Sequence, residues 1–297
     1  MLQARIGSFT VVRVEEMLTP GFEPAYLFPD FDPSVYEDDP RLAGPDFLDS
    51  ASGKLMSSMQ SWLVRDAGNV IVIDTGCGNG KTREFPAFRR FHRLDLPYLE
   101  RLAEAGVAPD EVTHVINTHL HVDHVGWNTR WRDGRWTPTF PNARYVFGAE
   151  ELARVLQPAA GAESNGVAPE IEDSVLPVVE RGLVETVRAG DELCPSVSFE
   201  AIPGHTMGQL SVRLASEGRS ALFTGDVFHQ PVQIVRPHWN SRFCENQEVA
   251  RATRARVLDA EADRGTIVFP SHFGAPHAGR IRREGDGYRF VPLEAAA

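Results

Sequence analysis

The sequence predicts an α/β protein, an αββα sandwich in which two sheets pack together with helices outside. Three observations lead there. Short runs of β-branched and aromatic residues recur in both halves of the 297-residue chain. Amphipathic stretches of helical length fall between them. Hydrophobic residues make up 42% of the chain, enough for a sizeable core. Strands that dominate both halves, with helices interspersed, fit two packed layers of sheet.

The elements follow in order. Phe9 to Glu15 (FTVVRVE) reads as a strand. Residues 20 to 50 carry Pro20, Pro24, Pro29, Pro33, Pro40 and Pro45, with Phe22, Tyr26, Phe28, Phe31, Tyr36 and Phe47 between them. Proline removes backbone donors, so this stretch is an arm or loop and not sheet interior. Its aromatics need burial, either on the body of their own domain or as a pocket wall or dimer arm. We therefore divide the chain into residues 1–55, a strand and arm, and residues 56–297, the main body of a single domain overall. Ser61 to Arg65 and Val70 to Ile73 are expected strands joined by a turn at Ala67-Gly68-Asn69. Leu96 to Ala105 suits a helix stopped by Gly106. His114 to Asn117 is a short buried strand, Arg144 to Phe147 another, and Glu150 to Leu156 a helix. Further strands are expected at Val184–Val187, Val197–Ile202, Leu210–Leu214, Ala221–Thr224 and Thr266–Phe269, with a helix over Gln247–Ala262.

Composition narrows the function. Lys plus Arg number 30 against 41 Asp plus Glu, a net charge of −11. An acidic surface repels phosphate backbones, so nucleic acid is not an expected partner. No basic, apolar leader is visible at the start and no apolar run approaches the ~18 residues that cross a bilayer. Cys77, Cys194 and Cys244 are scattered and form no CxxC pair. Together these features predict a soluble, reduced, cytoplasmic protein without a membrane partner. Cys77, in Gly76-Cys77-Gly78, is expected to be a small buried residue and not a reactive thiol.

The informative stretch is Thr118-His119-Leu120-His121-Val122-Asp123-His124, directly after the strand ending at Asn117. In extended backbone, residues two apart point to the same side, so His119 and His121 can reach one metal together. Asp123 and His124 follow a turn and can face a second. Imidazole and carboxylate are ligands that zinc prefers. By composition such a pattern arises by chance roughly once in a thousand chains of this size. Four ligands do not close two sites, and three strand-end residues are candidates for the rest: His205 in Pro203-Gly204-His205, Asp226 in Thr224-Gly225-Asp226, and His272 in Pro270-Ser271-His272.

This set, His119-x-His121-x-Asp123-His124 with His205, Asp226 and His272 downstream, resembles the metallo-β-lactamase superfamily from about Ser57 to Phe273. Val72-Ile73-Asp74-Thr75-Gly76 matches the family's early Asp-Thr-Gly turn, whose aspartate orients ligands. The resemblance implies the metallo-β-lactamase fold and two divalent metal ions per chain, zinc by default, with manganese, iron or cobalt also accepted by such ligands. It assigns His119, His121 and His205 to metal one, Asp123, His124 and His272 to metal two, and Asp226 to a bridge between them. A bridging aspartate argues against a dedicated β-lactamase. Only 25 residues follow His272, which leaves no room for the helical C-terminal domain of glyoxalase II relatives. The expectation is a compact hydrolase similar to lactonases and organophosphate hydrolases, acting on a small molecule, with a homodimer as a further expectation.

The implied reaction is opening of a lactone or cleavage of a carboxylic ester by a hydroxide shared between the metals. A phosphotriester is the alternative substrate, and a metal-stabilised binding module the nonenzymatic one. Asp123 and His229 are the candidate catalytic residues. Acyl-homoserine lactonases often carry tyrosine three residues after the bridging aspartate, where this chain has His229. A histidine there can donate a hydrogen bond, shuttle a proton or support Asp226. His238, Trp239, Arg242 and Phe243 are candidate pocket residues or ordinary loop packing. The same pair of readings holds for Trp127, Trp131 and Trp136.

Overall fold

The computed structural model describes residues 2–157 and 167–293. They form two seven-stranded sheets and a two-stranded ribbon, the two-sheet α/β architecture that the sequence predicts. By contacts the chain divides into two compact units whose members interleave along the sequence.

The first unit holds residues 8–16 and 59–188. The strands of the first sheet are β1 (Gln3–Ile6), β2 (Phe9–Pro20), β3 (Met56–Arg65), β4 (Val70–Ile73) and β5 (His114–Asn117). β6 (Thr129–Arg132) and β7 (Arg135–Pro138) make the ribbon, and β8 (Arg144–Gly148) and β9 (Val184–Val187) return to the sheet. Within this unit the order is β2-β3-β4-β5-β8-β9. β4, β5, β8 and β9 are parallel neighbours. Parallel strands buried on both faces read as unbroken apolar runs, and Val70–Ile73 and Val115–Ile116 are such runs. Because β4 and β5 run in register, the chain leaves both at one edge of the sheet. Asp74 follows β4 there, and Thr118 and His119 follow β5. Val72, Val115, Tyr145 and Phe147 join Tyr98 and Leu102 of the helix Tyr98–Glu104 in the core of this unit.

The second unit holds residues 2–7, 17–58 and those from 189 onward. Its sheet runs β10 (Glu192–Cys194), β11 (Val197–Ala201), β12 (Leu210–Ser216), β13 (Arg219–Phe223), β14 (Ile267–Phe269), β15 (Gly279–Glu284) and β16 (Gly287–Pro292), in that order. Only β13 and β14 are parallel neighbours in it, so Asp226 and His272 leave the sheet at the same edge. The helix Gln247–Glu261 buries Ala250, Arg254, Val257, Leu258 and Glu261, a helical stripe capped at its start by the Asn246 side chain. Gly204 (φ 126°) lets the turn before His205 approach this helix, since a Cβ there would lie 2.3 Å from the Ala250 nitrogen.

The proline-rich arm, residues 20–50, is a loop carrying the short helices Pro24–Leu27 and Val35–Asp38. Of its aromatics Phe28 is buried, Phe22, Phe31 and Tyr36 are half-buried against the same cluster, and Tyr26 is exposed; Phe28, Leu27, Val35 and Leu42 pack with Val232 and Trp239 of the same unit. Full burial of each such side chain contributes about 1.5–3 kcal/mol. Arg242 lies 3.9 Å over the Tyr26 ring. Trp239, Arg242 and Phe243 thus pack against the arm.

Candidate metal centre

The first unit holds one cluster of candidate ligands. The segment 118–125 is a series of bends and a turn, not the extended backbone expected for His119 and His121. The reason is local bonding: the His124 carbonyl accepts from Thr75 N and the Asn117 side chain, which folds the loop back on the strand ends. The rings nonetheless meet, His119 with His121 at 4.6 Å between centroids and His119 with His124 at 4.0 Å. Asp123 Oδ1 lies 3.7 Å from His124 Nε2. Asp74 anchors the loop as the resemblance implies. Its buried carboxylate accepts from Thr118 N at 2.8 Å and pairs with His124 Nδ1 at 2.9 Å. A carboxylate only accepts, so His124 Nδ1 carries the proton, and Nε2 is left as the ligand atom.

Beside this cluster lies Glu16, a residue that no motif marks. Its fully buried carboxylate accepts from Cys77 N, Gly78 N and Trp127 Nε1 at 2.7–2.8 Å. Burial raises its pKa while these donors oppose the rise. Trp127 stacks on Tyr98 at 4.9 Å and is core packing. Trp131 is exposed and meets Trp136 edge-on at 5.2 Å. Burial pushes the Cys77 thiol well above its usual range, so Cys77 is the inert residue expected.

The second unit holds a cluster of its own. His205 lies in the turn after β11, Asp226 in the 3-10 turn Gly225–Val227 after β13, and His272 after β14. Three imidazole Nε2 atoms converge on the buried Asp226 carboxylate: His205 at 3.2 Å, His229 at 3.3 Å and His272 at 3.1 Å. His272 Nδ1 donates to the Ser58 carbonyl at 3.0 Å, and Ser58 N donates back to the His272 carbonyl. With its proton on Nδ1, neutral His272 turns a bare Nε2 lone pair toward carboxylate oxygen. Two acceptors face each other stably only with a proton or a cation between them. The donor set, imidazole nitrogen and carboxylate oxygen, is one that zinc takes. The ligand atoms of His205, Asp226 and His229 all lie within 4.8 Å of one another, close enough to hold an ion.

Other histidines are engaged elsewhere. His92 Nδ1 accepts from Arg83 N at 3.1 Å, and His277 Nδ1 donates to the Phe273 carbonyl at 2.8 Å. The partners that hold the second cluster, Ser58, Gln233 and Arg254, carry no sequence signal, because each acts through a hydrogen bond to or from a backbone atom.

Comparisons with known proteins give the family. The family model described as the metallo-beta-lactamase superfamily matches residues 59–272. The chain belongs to the metallo-beta-lactamase superfamily. Its His/Asp clusters are groups that could hold a metal ion. Among curated relatives, N-acyl homoserine lactonase AiiB of Agrobacterium fabrum is 24% identical over 173 residues, 54% of this chain and 58% of that one. An uncharacterised protein of Caenorhabditis elegans is 24% identical over 169 residues, 56% of this chain and 35% of its own length. The chain therefore spans about a third to somewhat over half of these relatives. Among solved structures, the hydrolase AbOPH of the beta lactamase superfamily has a TM-score of 0.83 at 24% identity, covering 99% of this chain and 98% of that one. AidC, a dizinc quorum-quenching lactonase solved with a bound product, has a TM-score of 0.76 at 18% identity, covering 100% and 98%. At these identities the structural likeness speaks for the fold alone.

Proposed function

We propose that this superfamily member is a dinuclear metal-dependent hydrolase that opens a lactone or cleaves a carboxylic ester. The observation that carries the reading is the Asp226 carboxylate approached by three imidazole nitrogens at 3.1–3.3 Å, one of them with its proton fixed on the far nitrogen. The proposed ligands are His119, His121 and His205 for one ion, Asp123, His124 and His272 for the other, and Asp226 for both. Zinc is the proposed metal.

Bound divalent ions lower the pKa of a coordinated water from about 15.7 toward 7 and polarise a carbonyl. The chain's own residues do the rest. Asp74 holds His124 in the tautomer that presents Nε2. Ser58 does the same for His272. Asp123, whose side chain is partly open to solvent, accepts the hydrogen bond that orients the attacking water. His229, beside Asp226, is the second proposed catalytic group. No serine or cysteine nucleophile is needed.

The lactone reading draws support from AiiB, a relative that bears the name of an N-acyl homoserine lactonase. His229 stands where such lactonases often have tyrosine, so the acyl-homoserine group is not itself part of the proposal. Phosphotriester hydrolysis is the alternative, because the same donor set stabilises a phosphoryl oxygen as well as a carbonyl oxygen. The deciding experiment is kinetics with a lactone, an aryl ester and an aryl phosphotriester side by side. The proposal expects the highest kcat/KM on the lactone or ester. Turnover confined to the phosphotriester replaces it with the alternative, and no turnover of any of the three rejects it. A homodimer belongs to the same proposal, and light scattering at working concentration tests it.

A further inference from the structure

We infer that the ribbon of β6 and β7 forms one wall of a second binding site, which takes a phosphate dianion carried by a small organic monoester. The residues that would hold the phosphate are Arg130, Arg132 and Arg181, all in the first unit. None of them is a proposed metal ligand, and the inference does not depend on the metal-dependent reading.

The register of the ribbon is the first argument. Asp133 and Gly134 both have positive φ, 53° and 78°, as a two-residue hairpin turn of type I′ requires. The turn sets Arg130 opposite Thr137 and Arg132 opposite Arg135. Residues two apart on a strand share a face, and so do residues directly opposite across a pair. One face of the ribbon therefore carries Arg130, Arg132, Arg135 and Thr137. The other carries Trp131 and Trp136, and Trp136 covers the buried Lys81 Nζ at 3.8 Å. Like charges directly opposite repel each other. The fold nonetheless gathers guanidiniums on this face, in a chain whose net charge is −11.

The cavity beside that face is the second. It measures about 360 Å³, within the range of small-molecule sites. Arg130, Arg132 and Thr137 line it from the ribbon, and Arg181 lines it from the end of the helix Leu176–Glu180. Asp133 is the one carboxylate in the lining, so three guanidiniums leave two positive charges there unbalanced. Asp133 lies 3.6 Å from Arg132, with both side chains mostly in solvent. Arg130 and Arg181 make no ion pair among the described residues. Arg130 Nε is buried and has no hydrogen-bond partner among them. A buried donor without an acceptor costs stability that a ligand oxygen restores.

The third argument is the match of charge and shape. A phosphate monoester carries about −1.5 to −2 at pH 7 and three strong acceptor oxygens, which balances the two positive charges. Guanidinium forks bind phosphate oxygens in pairs. A monocarboxylate supplies half the charge and leaves one guanidinium unbalanced. Pro138, Pro141 and Leu183 give the cavity an apolar side against which an organic group can bury. A bare phosphate ion leaves that side unused.

The test titrates phenyl phosphate into the whole chain by isothermal calorimetry, before and after metal removal with a chelator, with inorganic phosphate and benzoate in parallel. The expected result is saturable binding of phenyl phosphate that survives chelation and is about ten-fold or more tighter than that of the other two. Arg181→Gln and Arg130→Gln should each weaken it about ten-fold or more. Arg219→Gln, which removes the same charge from β13, should leave it unchanged. Arg181 is exposed, so its variant keeps the test decisive if Arg130→Gln fails to fold. Binding lost on chelation puts the ester on the metal ions and overturns the inference. So does unchanged affinity in the Arg181 and Arg130 variants, an equal loss in Arg219→Gln, or no saturable binding at all. Inorganic phosphate that binds as tightly as phenyl phosphate overturns the monoester and leaves the free ion as the ligand.

Discussion

Asp74 shows how much depends on one carboxylate behind a ligand. It receives Thr118 N and Thr118 Oγ1 and holds His124 Nδ1 at 2.9 Å. Asp74→Asn keeps the shape but can present an amide donor to a ring nitrogen that must donate. We expect zinc affinity to fall about 10–100-fold, measured by chelator competition, with little change in the far-ultraviolet circular dichroism. Unchanged affinity would remove Asp74 from the account. The clustering of the candidate histidines and Asp226 was legible in the sequence because imidazole and carboxylate at strand ends form a dense chemical pattern. Ser58, Glu16 and Gln233 were not, because a backbone carbonyl, a buried glutamate or an amide bonded to a backbone nitrogen announces nothing until the chain has folded.

Elements place these residues by two parallel pairings. β4 beside β5 sends Asp74 and the histidine loop out of one sheet edge, and β13 beside β14 does the same for Asp226 and His272. Those strands were readable as short apolar runs. The helices Pro169–Ser174 and Leu176–Glu180 and the hairpin of β15 and β16 were not, since their residues are too mixed in polarity for a clear period. The helix Gln247–Glu261 adds a device of its own. Buried Arg254 donates to the carbonyls of Val227, Pro237 and Trp239 and to Asn240 Oδ1. It ties the segment after Asp226 to the helix. Arg254→Met removes this donor from the Val227 and Pro237 carbonyls and from Asn240 Oδ1, while the Trp239 carbonyl keeps Gln233 Nε2, and we expect a loss of about 3 kcal/mol in denaturant unfolding. Gly274 is a second such point. A Cβ there would lie 1.6 Å from the Asp46 carbonyl oxygen of the arm. Gly274→Ala should therefore lower the thermal midpoint, by several degrees for a cost of about 1–3 kcal/mol. An unshifted midpoint would mean that the arm does not pack there.

At the scale of the whole molecule, the composition is acidic, and among the described residues no helix is long and apolar enough to cross a membrane. Cys77, Cys194 and Cys244 are all free. Stability should depend on pH through Lys81. Burial, opposed by Asp173 at 3.3 Å, lowers its pKa from 10.5 to about 7. Between pH 7 and 10.5 the unfolded chain then binds more protons at this site than the folded one. Stability should rise with pH across that window, and Lys81→Met should flatten the rise. Denaturation midpoints at pH 7 and pH 9 in both proteins check it, and parallel curves would contradict it. The central claim, that this chain works through two ions, is met most directly by elemental analysis of the purified protein coupled to turnover of a lactone. The account predicts two ions per chain, with turnover lost on chelation and restored by zinc. One ion or none per chain, or turnover that persists in metal-free protein, would contradict it.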